Sequence, residues 1–345
     1  IVRIAVSFAA LFVVPGALAR ALFFPPHASS LERTCRVFAL GIVFVSVVVC
    51  AGFIPGISFR GICVIAAVLA IVLGVLCLRR RPVETGPAPV EDTPPGEVKR
   101  GLADGISPAI VAAVLFAVCF VALYGKGELG WASDAPDHVS FIRRSVDSGT
   151  LFPRDSFYRE GDGASLDPRK GLWHPVLALW TYASHTPADR LWRAIPSFMA
   201  YFALCVFLWF AVELCRSRWR AALALALFFL FYAGEGFPWL AALGFSRNVA
   251  QVLLWAALAF LIRFYRSSRR EYLAGSSLLA AAGAAYHLIF PLLLATSLFG
   301  LFLYVTFVRE GRGWRRAFWA SVPILLAATT AAIVPRFADA PGSFN

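Results

Sequence analysis

The chain has 345 residues, of which 59% are hydrophobic and 15% charged, with a mean hydropathy of +0.72 and a formal net charge of +12. Soluble domains carry about 25% charged residues, so this balance excludes an ordinary soluble protein and indicates an integral membrane protein. The basic excess does not point to nucleic acid, because the Lys and Arg residues fall between apolar stretches.

Runs such as 64–76 are continuously apolar and do not show the alternation of barrel strands, so the spans are helices. About ten transmembrane helices are predicted, at 4–23, 37–55, 61–78, 106–125, 191–214, 221–234, 248–265, 272–289, 290–308 and 317–335. Placing Arg79-Arg80-Arg81 in the cytoplasm puts Arg20, Arg33, Arg36, Arg216, Arg218, Arg220 and the runs 263–270 and 309–316 on the same side. With Lys99 and Arg100 of the linker, nineteen of the 32 basic residues then lie inside, as the positive-inside rule requires. These arginines read as topogenic. The seven cysteines lie in or beside apolar runs with no metal-ligand spacing and read as small buried hydrophobes.

Three units are expected. Residues 1–78 form an N-terminal accessory module of three spans. Residues 79–105, rich in Pro, Gly, Glu and Asp, form a disordered cytoplasmic linker. Residues 106–345 form the core, with no visible inverted repeat of the transporter kind. A chain that opens on Ile1 and stops at Asn345 just past an apolar run reads as a fragment of a longer protein.

The core carries one long outer loop, and its polar stretch begins Ser133-Asp134-Ala135-Pro136-Asp137-His138. Asp134 can cap a helix with Pro136 in its first turn, Asp137 at its third position, apolar Val139, Ile142 and Val146 at helical spacing, and a stop at Ser148-Gly149. This predicts an amphipathic helix on the membrane surface. Asp134 and Asp137 could serve only as a capping pair. A carboxylate pair at a positive helix end could also hold a divalent metal or act as general base. Four of the five histidines fall on the outer side; only His27 is expected inside. Asp155, His185 and Glu235 read as surface or turn residues. The tryptophans Trp131, Trp173, Trp180, Trp192 and Trp239 read mostly as an interfacial aromatic belt.

Beyond the surface helix come Phe152-Pro153, then Lys170-Gly171-Leu172-Trp173-His174-Pro175 opening the next apolar helix. An acidic pair after a core span, a surface helix ending in Ser-Gly, a Phe-Pro step and a basic-Pro motif resemble the GT-C superfamily of membrane glycosyltransferases. The layout is similar to the branch of protein O-mannosyltransferases and lipid A aminoarabinose transferases. The resemblance covers roughly 106–335, and its specific part roughly 131–176. It implies a GT-C-like all-α membrane fold with an outer active site, and a donor sugar carried on a polyprenyl phosphate. Asp134 or Asp137 matches the acidic motif, which acts there as base, as metal ligand, or both. A divalent cation, Mg or Mn, would fall to Asp134, Asp137 and His138. His174-Pro175 matches the basic-Pro motif. Two departures stand out: Ala135-Pro136 separates the acids, and Val176 replaces a second proline.

The chemistry also follows without the family. Nucleotide sugars stay in the cytoplasm, so an outer transferase needs a donor delivered through the bilayer, and a lipid phosphate meets that need. Charge developing on the leaving phosphate is best met by cations or hydrogen-bond donors; Lys170, His174, Arg247 and His287 are the candidates. Asp137 is the expected base and Asp134 its partner, and direct displacement would invert the anomeric centre. The acceptor is a lipid, a glycan or a protein, and the expected location is the inner membrane. The rival expectations are a transporter or flippase of lipid-linked sugars or organic anions, and a non-catalytic membrane subunit.

Overall fold

The computed structural model describes residues 1–24, 28–54, 57–80, 108–127, 129, 134–153, 171–228, 236–308 and 314–337. Almost all of the expected linker 79–105 therefore lies outside the described residues, as do His27, Trp131, Asp155, Lys170 and Glu235. Among the described residues every regular element is a helix. In chain order these are α1 (Val2–Phe23), α2 (Ser30–Phe53), α3 (Phe59–Arg79), α4 (Pro108–Leu123), α5 (Ala135–Ser148), α6 (Trp173–Ser184), α7 (Ala188–Cys215), α8 (Arg218–Leu227), α9 (Gly236–Ala241), α10 (Ser246–Ser267), α11 (Arg270–Tyr286), α12 (Phe290–Val308) and α13 (Trp314–Phe337).

Five of them, α1, α2, α3, α7 and α10, are long and apolar enough to cross a bilayer. Helices also lie at the other expected spans (α4, α8, α11, α12 and α13), shorter or less apolar over their described parts. The two extremes of burial show what faces what. Only 11% of the most apolar stretch of α3 is buried within the protein, and Val64, Val68, Ile71, Val72 and Val75 stand exposed along it. On α4, Ile110, Val114, Val118 and Val121 are exposed at helical spacing. Aliphatic faces of this kind are stable only against lipid. The corresponding stretch of α10 is 78% buried, and α10 packs against α2, α7, α11 and α12. It is the central helix.

The first three helices share one apolar core with the rest. Phe8 packs against Trp180 and Phe198 with ring centroids 5.3 and 5.4 Å apart, and Phe38 stacks on Phe202 at 4.8 Å. The crossing of α1 and α2 is close because Gly16 and Gly41 face each other's helix. A Cβ on Gly41 would run into the Phe12 carbonyl, and one on Gly16 into the Val37 carbonyl. Small residues let membrane helices approach backbone to backbone. Within α1 a π-helical turn at Ala9–Val13 precedes Pro15, and the Val14 N–H reaches the Ala9 carbonyl five residues back. The wider turn makes room for a proline that has no N–H of its own.

Two expectations change here. Three of the tryptophans expected in an interfacial belt are core instead: Trp173, Trp180 and Trp192 are fully buried, while Trp239 is half-buried. The indole N–H of Trp173 donates to the Gly244 carbonyl (2.8 Å), and that of Trp180 to Ser7 Oγ (3.0 Å), so these rings need no water. The cysteines are all free thiols, but only Cys35 is fully buried and Cys50 is exposed.

Several arginines expected to be topogenic make specific contacts. Glu32 and Arg36 on α2 are fully buried and ion-paired to each other. Arg263 of α10 donates to Glu32 Oε2 (3.0 Å) and lies 2.8 Å from Glu213 Oε1 of α7. Arg266 donates to the other Glu213 oxygen at 2.6 Å. The Trp209 indole also donates to Glu213 (3.2 Å), and Arg36 donates to the Tyr272 hydroxyl of α11 (2.6 Å) while lying over the rings of Phe24 and Tyr272. Four helices are thus joined by one buried charge cluster.

Removing one partner strands the others in a low-dielectric setting. Glu213→Ala is expected to destabilise the detergent-solubilised protein by about 3–5 kcal/mol, read as a lowered thermal unfolding midpoint; an unchanged midpoint would contradict the cluster. Gly41→Leu is expected to force α1 and α2 apart and lower the same midpoint, whereas Leu at Gly300, where nothing lies within 4 Å of an added Cβ, leaves it in place.

Candidate functional site

The expected surface helix is present as α5. Pro136 lies in its first turn, Asp137 is the acidic residue there, and Gly149 ends it in a left-handed conformation at φ 72°. Val139, Phe141 and Ile142 are buried while Arg143, Arg144 and Asp147 face outward, giving the amphipathic pattern its apolar contact. The capping role foreseen for Asp134 is not realised. Its side chain makes no capping hydrogen bond, and at ψ −2° its backbone is already helical, where a cap normally has extended backbone. Asp134 is exposed and Asp137 half-buried.

The motif Gly171-Leu172-Trp173-His174-Pro175 opens α6, a helix of twelve residues whose positions from Trp173 to Thr181 are all buried. At about 1.5 Å per residue it is about 18 Å long, too short to cross a bilayer. Its start is fixed by the end of α11. The Leu172 N–H donates to the Ala285 carbonyl (3.0 Å), and Gly171, at φ 55°, lies so close to the Tyr286 carbonyl that a Cβ would collide with it. Only glycine meets both demands without strain. Tyr286 is held in turn by Ser46 of α2, oxygen to oxygen 2.8 Å.

Three further segments meet the same end of α6. His138 of α5 is buried, and its Nδ1 lies 2.6 Å from Nε2 of the fully buried His174, with the rings stacked at 4.6 Å. Trp173 reaches Gly244, at the turn before α10, and the edge of Phe245 meets the His138 ring at 5.0 Å. Trp192 of α7 lies parallel to His138 at 6.0 Å. Arg247, exposed in the first turn of α10, is therefore two residues from a ring that touches His138. His287 follows Tyr286 at the end of α11, and its Nδ1 accepts from the Ile289 amide (3.2 Å).

The fold thus brings the segments bearing Asp134, Asp137, His138, His174, Arg247 and His287 to the N-terminal end of one buried helix. Lys170 lies outside the described residues, immediately before Gly171. The expected metal set is not gathered: His138 directs Nδ1 at His174, and no group of three or more His, Cys, Asp or Glu side chains is arranged to hold a metal among the described residues.

The His138–His174 contact has a chemical consequence. A short N···N hydrogen bond needs one donor and one acceptor, so the pair can carry one positive charge but not two. Sequence reasoning singled out both histidines but not their contact, and it missed Gly171, Trp192 and Phe245. The one available signal for them was glycine before each of two aromatic-rich turns, at Gly171 and Gly244.

No protein-family model, curated protein or solved structure matches this chain.

Proposed function

We propose that the chain is a membrane glycosyltransferase of GT-C type, with about ten transmembrane helices, that moves a sugar from a polyprenyl-phosphate donor to an acceptor hydroxyl at the extracytoplasmic face. The observation that carries this reading is the convergence of acidic, imidazole and guanidinium-bearing segments on the start of α6. Helix N-termini favour anions, and the cations next to this one suit a phosphate.

In this reading the donor phosphate lies against Lys170, Arg247, His287 and the His138–His174 pair, whose single shared charge stabilises the leaving group as the glycosidic C–O bond breaks. Asp137, at the mouth of the site, takes the proton of the acceptor hydroxyl as that oxygen attacks the anomeric carbon from the opposite face. The product is inverted at that carbon, and polyprenyl phosphate departs. Asp134, exposed and without a capping bond, orients the acceptor.

A transporter reading draws on one observation, the buried Glu32–Arg36–Arg263–Glu213 cluster, because ionisable groups within membrane helices often mark a transport path. The cluster is paired and lies at the far end of α10 from Arg247. Sixteen residues at about 1.5 Å each separate them by about 24 Å.

Sugar transfer from radiolabelled polyprenyl-phosphate donors in membranes distinguishes the two. Asp137→Asn at matched expression is expected to lower turnover by about a hundredfold or more, with a smaller loss for Asp134→Asn. Labelled product unchanged in both variants, or no product from any donor, would remove the transferase reading.

A further inference from the structure

At the opposite end of the molecule from the α6 site, a cavity of about 580 Å³ is lined by Phe264, Ser268, Arg270, Leu273, Ala274, Ser277 and Pro323. Its size falls within the range of about 300–1,000 Å³ usual for small-molecule sites. The walls are the last turn of α10, the first half of α11, and α13, which packs against α11. Leu278 of α11 and Phe318, Trp319 and Leu326 of α13 are exposed beside it. Large apolar side chains exposed on a membrane protein face acyl chains, so the cavity opens toward lipid.

Its lining is graded. Phe264, Leu273, Ala274 and Pro323 make an apolar cleft, while Ser268 and Arg270 stand at the helix ends. Glu213 is occupied by Arg263 and Arg266, and Glu271 lies 4.0 Å from Arg269. Among the described residues Arg270 makes no hydrogen bond or ion pair, and it is exposed.

We propose that this cleft binds an anionic phospholipid of the cytoplasmic leaflet, with an acyl chain along Phe264, Leu273, Ala274 and Pro323 and its phosphate on Arg270. The charge complementarity names the occupant: an exposed guanidinium at the interface end of an apolar cleft matches a molecule that is anionic at one end and aliphatic along the rest. The site is independent of the transferase reading, because it shares no residue with the α6 end.

Native mass spectrometry of the full chain in detergent, titrated with phosphatidylglycerol or phosphatidylcholine, tests this. The first phosphatidylglycerol is expected to bind more tightly than the first phosphatidylcholine. Arg270→Gln is expected to weaken it by about fivefold, the contribution of one interfacial charge, and Arg270→Lys to restore most of that loss. Ala274→Trp, which fills the cleft, weakens both lipids, and excess inorganic phosphate displaces neither. Equal binding of the two lipids by the wild type, or phosphatidylglycerol binding untouched by Arg270→Gln and Ala274→Trp alike, would overturn the proposal. Displacement by inorganic phosphate would overturn it too, by showing a phosphate site that does not recognise lipid.

Discussion

A short helix buried among other helices must have its ends satisfied by protein, because no water reaches its unpaired N–H and C=O groups. That constraint governs α6 and everything around it. At its start the backbone of Leu172 and Gly171 is received by the last turn of α11, and the Trp173 indole by the turn before α10. At its other end His185 turns left-handed, and the His185 and Thr186 amides return to Tyr182 and Thr181. Every segment recruited to this task also places a polar side chain near the helix start. The candidate site is therefore a by-product of the way a short buried helix is terminated.

The rest of the molecule can be understood as holding that arrangement still. Helix α10 links the two ends: Ser246 to Ile262 are largely buried, Arg247 lies at the site, and Arg263 and Arg266 enter the charge cluster. Through Glu32 and Glu213 the cluster joins α2 and α7 to α10, and through Tyr272 it reaches α11, whose far end receives Gly171. A buried ion cluster adds little net stability over apolar packing, but a mispaired one is costly, so it selects one register of four helices over its neighbours. The first three helices take part in this. Ser46 of α2 holds Tyr286, and Phe8 and Phe12 of α1 pack on Trp180.

The membrane class, the helix positions and α5 were legible because each rests on a local signal: apolar run length, positive loops, or proline and glycine at helix ends. What was not legible depends on which chain segments meet. The Trp173, Trp180 and Trp192 rings look like interfacial anchors in a sequence, and only their partners, the Gly244 carbonyl and Ser7 for the first two, show that they are core. Arg36, Arg263 and Arg266 sit in the sequence where topogenic arginines are expected, and they also pair with the buried carboxylates of Glu32 and Glu213, since one charge can satisfy both demands. His138 and His174 are 36 residues apart with a long loop between them, so no spacing rule announces their contact. Asp134 misled in the opposite direction: its position is that of a cap, but its backbone conformation is not.

In the proposed function the start of α6 is open to the extracytoplasmic side and accepts a lipid phosphate. The most direct measurement is the labelling rate of Asp134→Cys, in a background lacking the native cysteines, by a membrane-impermeant maleimide on intact cells with and without added polyprenyl phosphate. Labelling from outside is expected, slowed when polyprenyl phosphate is present. Labelling only after the membrane is opened, or a rate indifferent to the lipid phosphate, would contradict it.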